Sequence, residues 1–233
     1  MRFSDKPMQH NAAIIFDVDG VLLDLTAQEE DAFFWAFAKL HGLEGLSRDW
    51  DSYLVRNDEN IIAEILTRHF GRAPSRGEHR AVIQAYLNHL ASDMELKRLA
   101  PSPIEGAREL LGRLTGRAKL GIATANLLEA AELRLAAANL WEPVQTYAYG
   151  ANGGGAKREI LARAIASTGL HPERIVFIGD NLNDVEAGLA HGVHFIGFSR
   201  DEAKCRRLAE AGAKRICNHH RDTLKHMEEA LEL

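Results

Sequence analysis

Short apolar runs alternate with helical patterns along most of the chain. The apolar runs cover residues 12–16, 118–124, 174–179 and 193–197. Each has the length and apolar character of a strand that is buried on both faces. Between them, apolar residues recur at helical spacing, roughly over 104–116, 127–139, 157–168 and 183–191. Strands that alternate with helices predict an α/β fold, in which a parallel sheet is covered by helices on both faces.

Residues 24–100 have a different pattern, in which helix follows helix without a strand between them. The helical spacing of apolar residues covers 27–41, 59–70 and 78–99. Two prolines and a glycine in residues 100–106 then indicate a return hinge. We therefore predict a core domain of residues 1–23 and 104–233, and an inserted helical domain of residues 24–103.

Composition and charge narrow the classes of function. Hydrophobic residues make up 46% of the 233 residues, and the net charge is −5, without the clustered basic face of a nucleic-acid binder. No run approaches the ~20 apolar residues that span a bilayer, and the first ten residues lack the apolar stretch of a signal peptide. We therefore expect a cytoplasmic monomer or homodimer that binds neither nucleic acid nor membranes.

The two cysteines, Cys205 and Cys217, are too few for a disulfide scaffold in a chain of this length. They are expected to be free thiols in a reducing compartment. Cys217 lies near His219 and His220, but these residues do not complete the spacing of a four-ligand zinc site. All three are therefore predicted to be surface residues between a strand and the last helix.

The strongest chemical signal is DVDG, residues 17–20, which directly follows the first apolar run. In an extended segment, side chains two residues apart point the same way, so Asp17 and Asp19 can act together. Gly20 allows a sharp turn just beyond them. Two adjacent carboxylates repel each other, and their oxygen atoms suit Mg²⁺, which also binds a phosphate oxygen of a substrate. The residues alone therefore predict a cation-binding pair of aspartates.

Further polar residues follow other predicted strands at equivalent positions. Thr124 comes directly after the second apolar run, Asp180 comes directly after the third, and Asp184 lies four residues further on. The carboxyl ends of parallel strands share one edge of a sheet, and ligands bind in the crevice there. These residues are therefore expected to converge on the aspartate pair.

A site that holds several carboxylates and a phosphate also needs a cation from the protein. Lys157 begins the predicted helix that precedes the strand before Asp180, so it starts from the same sheet edge. A lysine in this position favours neutralisation of the anionic charge. The alternative is a solvent-exposed lysine at a helix start.

Together, these features resemble the motifs of the haloacid dehalogenase superfamily of hydrolases. DVDGV resembles the first motif, Thr124 after LGIA the second, Lys157 the third, and GDNLND, residues 179–184, the fourth. The resemblance covers nearly the whole chain. The helical insert is similar to the helical cap of the phosphoglycolate-phosphatase-like and β-phosphoglucomutase-like members. The resemblance implies a Rossmann-like three-layer core with an inserted all-helical cap.

The resemblance also implies a Mg²⁺-dependent phosphatase that acts on a phosphate monoester of a small metabolite. Asp17 would form an aspartyl phosphate, and Asp19 would act as general acid and base. Thr124 and Lys157 complete the implied catalytic set. The implied phosphate-binding residues are Asp17, Gly20, Thr124, Ala125, Asn126 and Lys157. The implied metal-binding residues are Asp17, Asp180, Asp184 and, through its carbonyl oxygen, Asp19.

Two residues leave alternatives open. Arg158 follows Lys157 where many capped relatives have a proline, and Lys157 stands slightly late relative to its helix. Arg134, in the helix after Thr124, is therefore an alternative source of the cation. Arg56, which precedes a predicted helix start, is a candidate contact between the cap and the substrate, and the alternative is a solvent-exposed arginine.

Other functions share these motifs. A phosphomutase of the β-phosphoglucomutase type uses both aspartates and returns the phosphoryl group to the sugar. A haloacid dehalogenase does not need Asp19, and a non-catalytic binding protein would be expected to lack one of Asp17, Asp19 or Asp180. The presence of all three aspartates favours phosphoryl transfer, and the sequence does not identify the substrate.

Overall fold

The computed structural model describes residues 10–24 and 26–231. The strands in this part of the chain are β1 (Ala13–Phe16), β2 (Leu23–Asp24), β3 (Ser102–Pro103), β4 (Lys119–Ala123), β5 (Tyr147–Tyr149), β6 (Ile175–Gly179), β7 (His194–Phe198) and β8 (Ile216–Cys217). The α-helices are α1 (Ala27–His41), α2 (Asp58–Phe70), α3 (Arg76–Glu95), α4 (Ala107–Leu114), α5 (Leu128–Ala137), α6 (Lys157–Thr168), α7 (Leu182–His191), α8 (Glu202–Glu210) and α9 (His220–Leu231). The expectation about a signal peptide concerns residues 1–10, nearly all of which lie outside the described residues.

The core sheet is parallel and has the strand order β5-β4-β1-β6-β7-β8. Ile14 and Phe16 of β1 pack into the layer that contains α4 and α9, while Ala13 and Ile15 pack against α6 and α7. Because successive residues of a strand face opposite sides, a strand between two helical layers needs apolar residues throughout. The predicted three-layer α/β core is confirmed.

The register of the central strands brings their carboxyl ends to one level. Phe16 lies opposite Ile122 of β4 and Ile178 of β6. The Asp17 amide extends this ladder by donating a hydrogen bond to the Ile178 carbonyl oxygen at 2.8 Å. The residues that follow β1, β4 and β6 therefore emerge at the same edge of the sheet.

Helices α1–α3 form the predicted helical insert between β2 and β3. α1 begins with a capping box, in which Thr26 Oγ1 accepts from the Glu29 amide and the Glu29 carboxylate accepts from the Thr26 amide. The apolar cluster of the insert also includes Leu127 and Ala130 at the start of α5. The insert therefore packs directly on a helix of the core.

The chain enters and leaves the insert through an antiparallel two-stranded ribbon, formed by β2 and β3. Leu23 lies opposite Pro103, and the Ile104 amide donates to the Leu22 carbonyl oxygen at 3.0 Å. The two ends of the insert therefore lie side by side. The division into domains at residues 23/24 and 103/104 stays a prediction.

The structure differs from the sequence-based expectations mainly in short elements. The strands β2, β3, β5 and β8 have two or three residues each, too few to produce a periodic pattern. The third insert helix ends at Glu95 rather than 99, because the chain turns at Lys97, which has a positive φ of 55°. Among the helices of the described residues, none is both long and apolar enough to cross a bilayer.

The prediction that Cys217, His219 and His220 are surface residues is wrong for two of them. Cys217 and His220 are buried, whereas His219 is exposed. His220 stacks on Phe198 with ring centroids 4.3 Å apart, and its Nε2 donates to the Val21 carbonyl oxygen at 2.8 Å. Burial lowers the pKa of His220 to about 4, so the ring is neutral and packs like an aromatic side chain. Both cysteines are free thiols.

Candidate active site

Asp17, Asp19 and Gly20 follow β1 at the carboxyl edge of the sheet. Asp17 Oδ1 accepts a hydrogen bond from the Val18 amide at 2.8 Å. Gly20 has a φ of +77°, and a Cβ atom at this position would collide with the Asp180 side chain. The turn after Asp19 therefore requires glycine for its backbone angle and for its close approach to Asp180.

One group of charged residues, which we name the core-side cluster, consists of Asp17, Lys157, Asp180, Asp184 and Lys204. Lys157 is buried at the start of α6, with Nζ 2.7 Å from Asp17 Oδ1 and 2.9 Å from Asp184 Oδ1. Lys204 of α8 forms an ion pair with Asp180. Two lysines therefore face three carboxylates.

Asp184 is held at the start of α7 by backbone amides. Its Oδ2 accepts from the amides of Asp180 at 3.1 Å and of Asn181 at 3.0 Å. A Cβ atom on Gly179 would collide with the Asp184 side chain, so the glycine that ends β6 makes room for it. Its buried Oδ1 is near Lys157 but has no partner in hydrogen-bonding geometry among the described residues. This oxygen therefore faces Lys157 and the other core-side aspartates.

Asp17, Asp180 and Asp184 form a buried group that can hold a metal ion. Each offers one carboxylate oxygen, and these atoms all lie within 4.8 Å of one another. Carboxylate oxygens at such separations suit a small, hard divalent cation with ligand distances of about 2.1 Å. The Asp19 carboxylate is not part of this group, and its implied metal contact is through the carbonyl oxygen.

The pKa values of the core-side cluster also indicate that binding of a further positive charge would be favourable. Burial raises the pKa of Asp17 well above its usual value, although the Lys157 ammonium opposes the shift. Burial and the Asp184 charge raise the pKa of Asp180, and Lys204 opposes that shift. Burial alone would lower the pKa of Lys157, but the Asp17 and Asp184 carboxylates outweigh it and raise the pKa above its usual value. A bound cation would favour the ionised carboxylates.

The loop after β4 brings Thr124, Ala125 and Asn126 to the same edge of the sheet. Thr124 is buried, and its hydroxyl donates to Asn126 Oδ1 at 3.0 Å and accepts from the Asn126 amide at 3.2 Å. The two side chains therefore fix each other next to the aspartate pair. A hydroxyl and backbone amides in such a loop are suitable ligands for phosphate oxygens.

A second group, which we name the cap-side cluster, consists of Asp19, Glu29, Asp58 and Arg134. Arg134 of α5 is buried, and both of its terminal nitrogens donate to the Asp19 carboxylate. Its Nε donates to Glu29 Oε1 of α1 at 2.7 Å. Lys157 and Arg134, the two candidate cations predicted from the sequence, thus both lie at the site. They contact different aspartates, since Lys157 contacts Asp17 and Arg134 contacts Asp19.

Asn57 and Asp58, at the start of α2, connect the insert to two loops of the core. Asp58 Oδ2 accepts from the Leu127 amide at 2.8 Å, and the Asp58 amide donates to the Ala125 carbonyl oxygen at 3.0 Å. Asn57 Nδ2 donates to the Gly155 carbonyl oxygen at 2.6 Å. Asp58 therefore caps α5, whose own N-terminal residue offers no side-chain cap. Burial raises the pKa of Asp58 to about 7.

A cavity of about 90 Å³ lies between the sheet edge and the insert. The predicted site residues that line it are Asp17, Asp19, Arg56, Thr124, Ala125, Asn126 and Lys157. Gly20, Asp180 and Asp184 lie beside the cavity rather than in its wall. Phe33, Trp50 and Tyr86 of the insert add aromatic surface opposite the sheet edge. Arg56 Nη1 also pairs with Asp51 at 2.9 Å.

Glu29, Asp58 and Lys204 contact predicted site residues but are not evident from the sequence. Glu29 and Asp58 lie in the first turns of their helices, where acidic residues are common because they interact favourably with the helix dipole. Lys204 lies in a strongly charged segment that is typical of a solvent-exposed helix. The available signal was the capping box at Thr26 and Glu29, which indicates a helix start and no more.

Comparison with protein families gives a match over most of the chain. A model of a hydrolase family, described as haloacid dehalogenase-like hydrolase, matches residues 12–192. Among curated proteins, none matches.

Solved structures with the same fold cover nearly the whole chain. CbbY from Rhodobacter sphaeroides in complex with phosphate is 22% identical with a TM-score of 0.72, over 95% of this chain and 99% of that one. A putative β-phosphoglucomutase from Bacteroides vulgatus is 22% identical with a TM-score of 0.69, over 96% and 91%. A predicted phosphoglycolate phosphatase from Haemophilus somnus 129PT is 15% identical with a TM-score of 0.66, over 94% and 99%. At these identities the similarity establishes the fold alone.

Proposed function

Because the chain belongs to the haloacid dehalogenase-like hydrolase family, we propose that it is a Mg²⁺-dependent phosphatase that hydrolyses a phosphate monoester of a small metabolite. The observation that carries this proposal is the Lys157 ammonium 2.7 Å from Asp17, with Asp19 in the same cavity. A carboxylate nucleophile next to a fixed cation suits attack on an anionic phosphoryl group. Asp19 favours phosphoryl transfer over dehalogenation, which does not need this residue.

In the proposed first step, an Asp17 carboxylate oxygen attacks phosphorus. The bond from phosphorus to the ester oxygen breaks, and Asp19 gives its proton to the leaving alcohol. The product is an aspartyl phosphate on Asp17. In the second step, Asp19 takes a proton from a water molecule, whose oxygen attacks phosphorus. This attack releases inorganic phosphate and restores the Asp17 carboxylate.

Other residues of the cavity hold the phosphoryl group in place during both steps. Lys157 offsets the negative charge of nucleophile and phosphate, and the Thr124 hydroxyl would turn its proton from Asn126 Oδ1 to a phosphate oxygen. Asp17, Asp180 and Asp184 would hold Mg²⁺, which neutralises charge between the nucleophile and the phosphoryl group when it is bound. The phosphate complex of CbbY supports a phosphate ligand for this fold.

The test is a phosphate-release screen of the purified protein over a panel of phosphorylated metabolites, with Mg²⁺ and with EDTA. We expect at least one alkyl phosphate to be hydrolysed with Mg²⁺ and not with EDTA. The Asp17→Asn variant should lose at least about 10³-fold in kcat, because it lacks the nucleophile. Acid-quenched wild-type enzyme should carry the aspartyl phosphate, detected by intact-mass spectrometry, and the variant should not.

A matched control is Asp31→Asn, an exposed aspartate of α1 that pairs with Arg48. This variant should keep wild-type activity, because exposed ion pairs contribute little. Full activity of Asp17→Asn, or no turnover of any compound in the panel, would contradict the proposal. Isomerised sugar phosphate without net phosphate release would identify the phosphomutase alternative instead.

A further inference from the structure

Arg134 is a buried arginine in the last turn of α5, a helix of the core. Its side chain is only 2% exposed, and its guanidinium faces two carboxylates rather than solvent. Both terminal nitrogens reach Asp19, and Nε donates to Glu29 at 2.7 Å. Nη1 also donates to Asn126 Oδ1 at 3.2 Å. A buried guanidinium is costly unless its donors are satisfied, so this arrangement must be a closely matched one.

The orientation of the guanidinium is fixed by Glu29. Glu29 Oε1 accepts from Arg134, while Oε2 accepts from the Thr26 amide at 2.7 Å and from the Thr26 hydroxyl at 3.1 Å. The two oxygens of one carboxylate therefore bind different partners. Because the arginine fork is planar and rigid, a fixed Nε determines where the terminal nitrogens lie.

We propose that Arg134 and Glu29 are positioning residues for Asp19. Glu29 orients the guanidinium, and the guanidinium occupies one lone pair on each oxygen of Asp19 at the cavity wall. The second lone pair of each oxygen remains to carry the transferred proton. This inference rests on the proposed function, in which Asp19 transfers a proton to the leaving group. Neither Arg134 nor Glu29 is required for attack by Asp17, which has its own cation in Lys157.

This separation of roles gives a specific expectation about leaving groups. Departure of an alkoxide requires a well-placed acid, and proton transfer contributes about 10²–10⁴-fold to such a step. A nitrophenolate leaves without a proton, so its departure does not depend on where Asp19 is held. A loss of positioning should therefore slow alkyl phosphates selectively, whereas a general structural defect should slow both classes equally.

The experiment compares wild type with Arg134→Lys on 4-nitrophenyl phosphate and on the alkyl phosphate that wild type turns over in the screen. Lysine keeps the charge but cannot bind Asp19 through a fork. We expect kcat for the alkyl phosphate to fall about 10²-fold, with KM changed less than about threefold. The first-turnover release of nitrophenolate, measured by stopped flow, should stay within about threefold of wild type.

Glu29→Gln provides a second variant that does not depend on the folding of the first. Its single carbonyl oxygen can serve either Thr26 or Arg134 but not both, so a smaller loss with the same selectivity is expected, about tenfold on the alkyl phosphate. Asp31→Asn, two residues along the same helix, is the matched control and should change neither rate.

In any variant that folds, an equal loss of rate on the two substrates, or no loss of rate on the alkyl phosphate, would overturn the proposal. Chemical rescue gives an independent test, because guanidinium ions added to Arg134→Ala should restore alkyl phosphate turnover more than nitrophenolate release. A wild-type protein without phosphatase activity, or an active Asp17→Asn variant, would instead contradict the proposed function.

Discussion

The core-side and cap-side clusters each contain three carboxylates, but they balance them in different ways. In the core-side cluster, the Lys157 ammonium contacts one oxygen of Asp17 and one of Asp184, and the Lys204 ammonium contacts one oxygen of Asp180. The cap-side cluster uses Arg134, whose planar fork covers both oxygens of Asp19. A lysine is a compact charge that leaves neighbouring oxygens free, whereas an arginine fixes the geometry of its partner.

This difference indicates which cluster can bind an added metal ion. One oxygen from each core-side aspartate remains close enough to the others to share a metal ion. Protein donors bind the carboxylates of both clusters, including Lys157 and Lys204 on the core side and Arg134 and the Leu127 amide on the cap side. Within the described residues, the cap-side carboxylates do not form a group whose oxygens converge in this way. We therefore interpret the core-side cluster as the part that binds a variable charge and the cap-side cluster as the part that maintains a fixed geometry.

The strongest test of this comparison removes the central lysine of the core-side cluster. Under the proposed function, Lys157→Met should lower kcat about 10²–10³-fold, because the proposed nucleophile and the phosphoryl group lose their fixed positive charge. It should also lower the free energy of unfolding by about 3 kcal/mol without metal, since Asp17 and Asp184 stay buried without a cationic partner. Phosphate release and urea unfolding measure the two effects.

The control for this variant is Lys119→Met in β4, whose ammonium donates to the Thr168 carbonyl oxygen and lies outside both clusters. Its activity should remain at the wild-type level. A similar loss of activity in both lysine variants would mean that Lys157 acts through the general stability of the fold.

A second test reduces the space beside the Asp180 side chain. Gly20→Ala should lower activity about 10²-fold, because the new Cβ displaces Asp180 from the metal group. Gly169→Ala is the matched control, since Gly169 has a φ of +66° and no atom within 4 Å of an added Cβ. Both variants should lose about 1–2 kcal/mol of stability through the positive φ, but the control should keep its activity. Equal activities in the two variants would show that the close contact between residue 20 and Asp180 has no effect on activity.

A third test asks whether Lys204 and a bound metal ion compete for the carboxylates of the core-side cluster. Lys204→Met should tighten Mg²⁺ binding about fivefold in calorimetry, because the ammonium that repels the incoming ion is gone. The same variant should be less stable than wild type in EDTA, since Asp180 loses its cationic partner and keeps only neutral donors such as Asn181. Lys214→Met, an exposed lysine, should change neither quantity. Weaker Mg²⁺ binding by Lys204→Met would mean that Lys204 supports the metal site rather than competing with it.

The smallest expected effect concerns Asp58 in the cap-side cluster. Burial raises the folded-state pKa to about 7, so the folded protein binds more protons than the unfolded chain between about pH 4 and 7. The contribution of Asp58 to stability therefore falls as the pH rises through this range. The charged or titratable groups that influence Asp58 are Asp19 and Arg134.

Asp58→Asn removes this titration and keeps an oxygen that accepts from the Leu127 amide. Relative to wild type, it should be more stable at pH 8 than at pH 5, by about 1 kcal/mol or more in denaturant unfolding. Glu59→Gln, the next residue of α2, controls for the loss of one negative charge. A stability difference that does not change with pH would contradict the buried, ionisable state of Asp58.

Much of the fold follows from the sequence, because continuous apolar runs such as 12–16 and 174–179 form strands only where both faces are buried. The convergence of Thr124 and Asp180 near Asp17 follows from parallel strand topology, which brings strand ends to one edge. The helix that starts at Lys157 begins at the predicted residue. The core-side aspartates and Lys157 could therefore be proposed from sequence order alone.

The cap-side cluster could not be predicted in the same way. Arg134 is visible as a helical residue after Thr124, but its contact with Asp19 depends on where α5 lies against the carboxyl end of β1. Glu29 serves its own helix as a capping residue, and its second contact has no local signature. Such contacts join residues that are distant in sequence across the insert, and no periodic pattern encodes the packing of one unit on another.

The ribbon of β2 and β3 has a consequence for the order in which the chain folds. β1 must pair with β4, but the whole helical insert separates them in sequence, and closing so long a loop costs conformational entropy. The insert helices make more local contacts, which form faster than distant strand pairs. Once Leu23 lies opposite Pro103, the effective loop between β1 and β4 is short. We therefore expect the insert to assist nucleation of the central sheet, so that weakening the ribbon slows refolding more than it speeds unfolding.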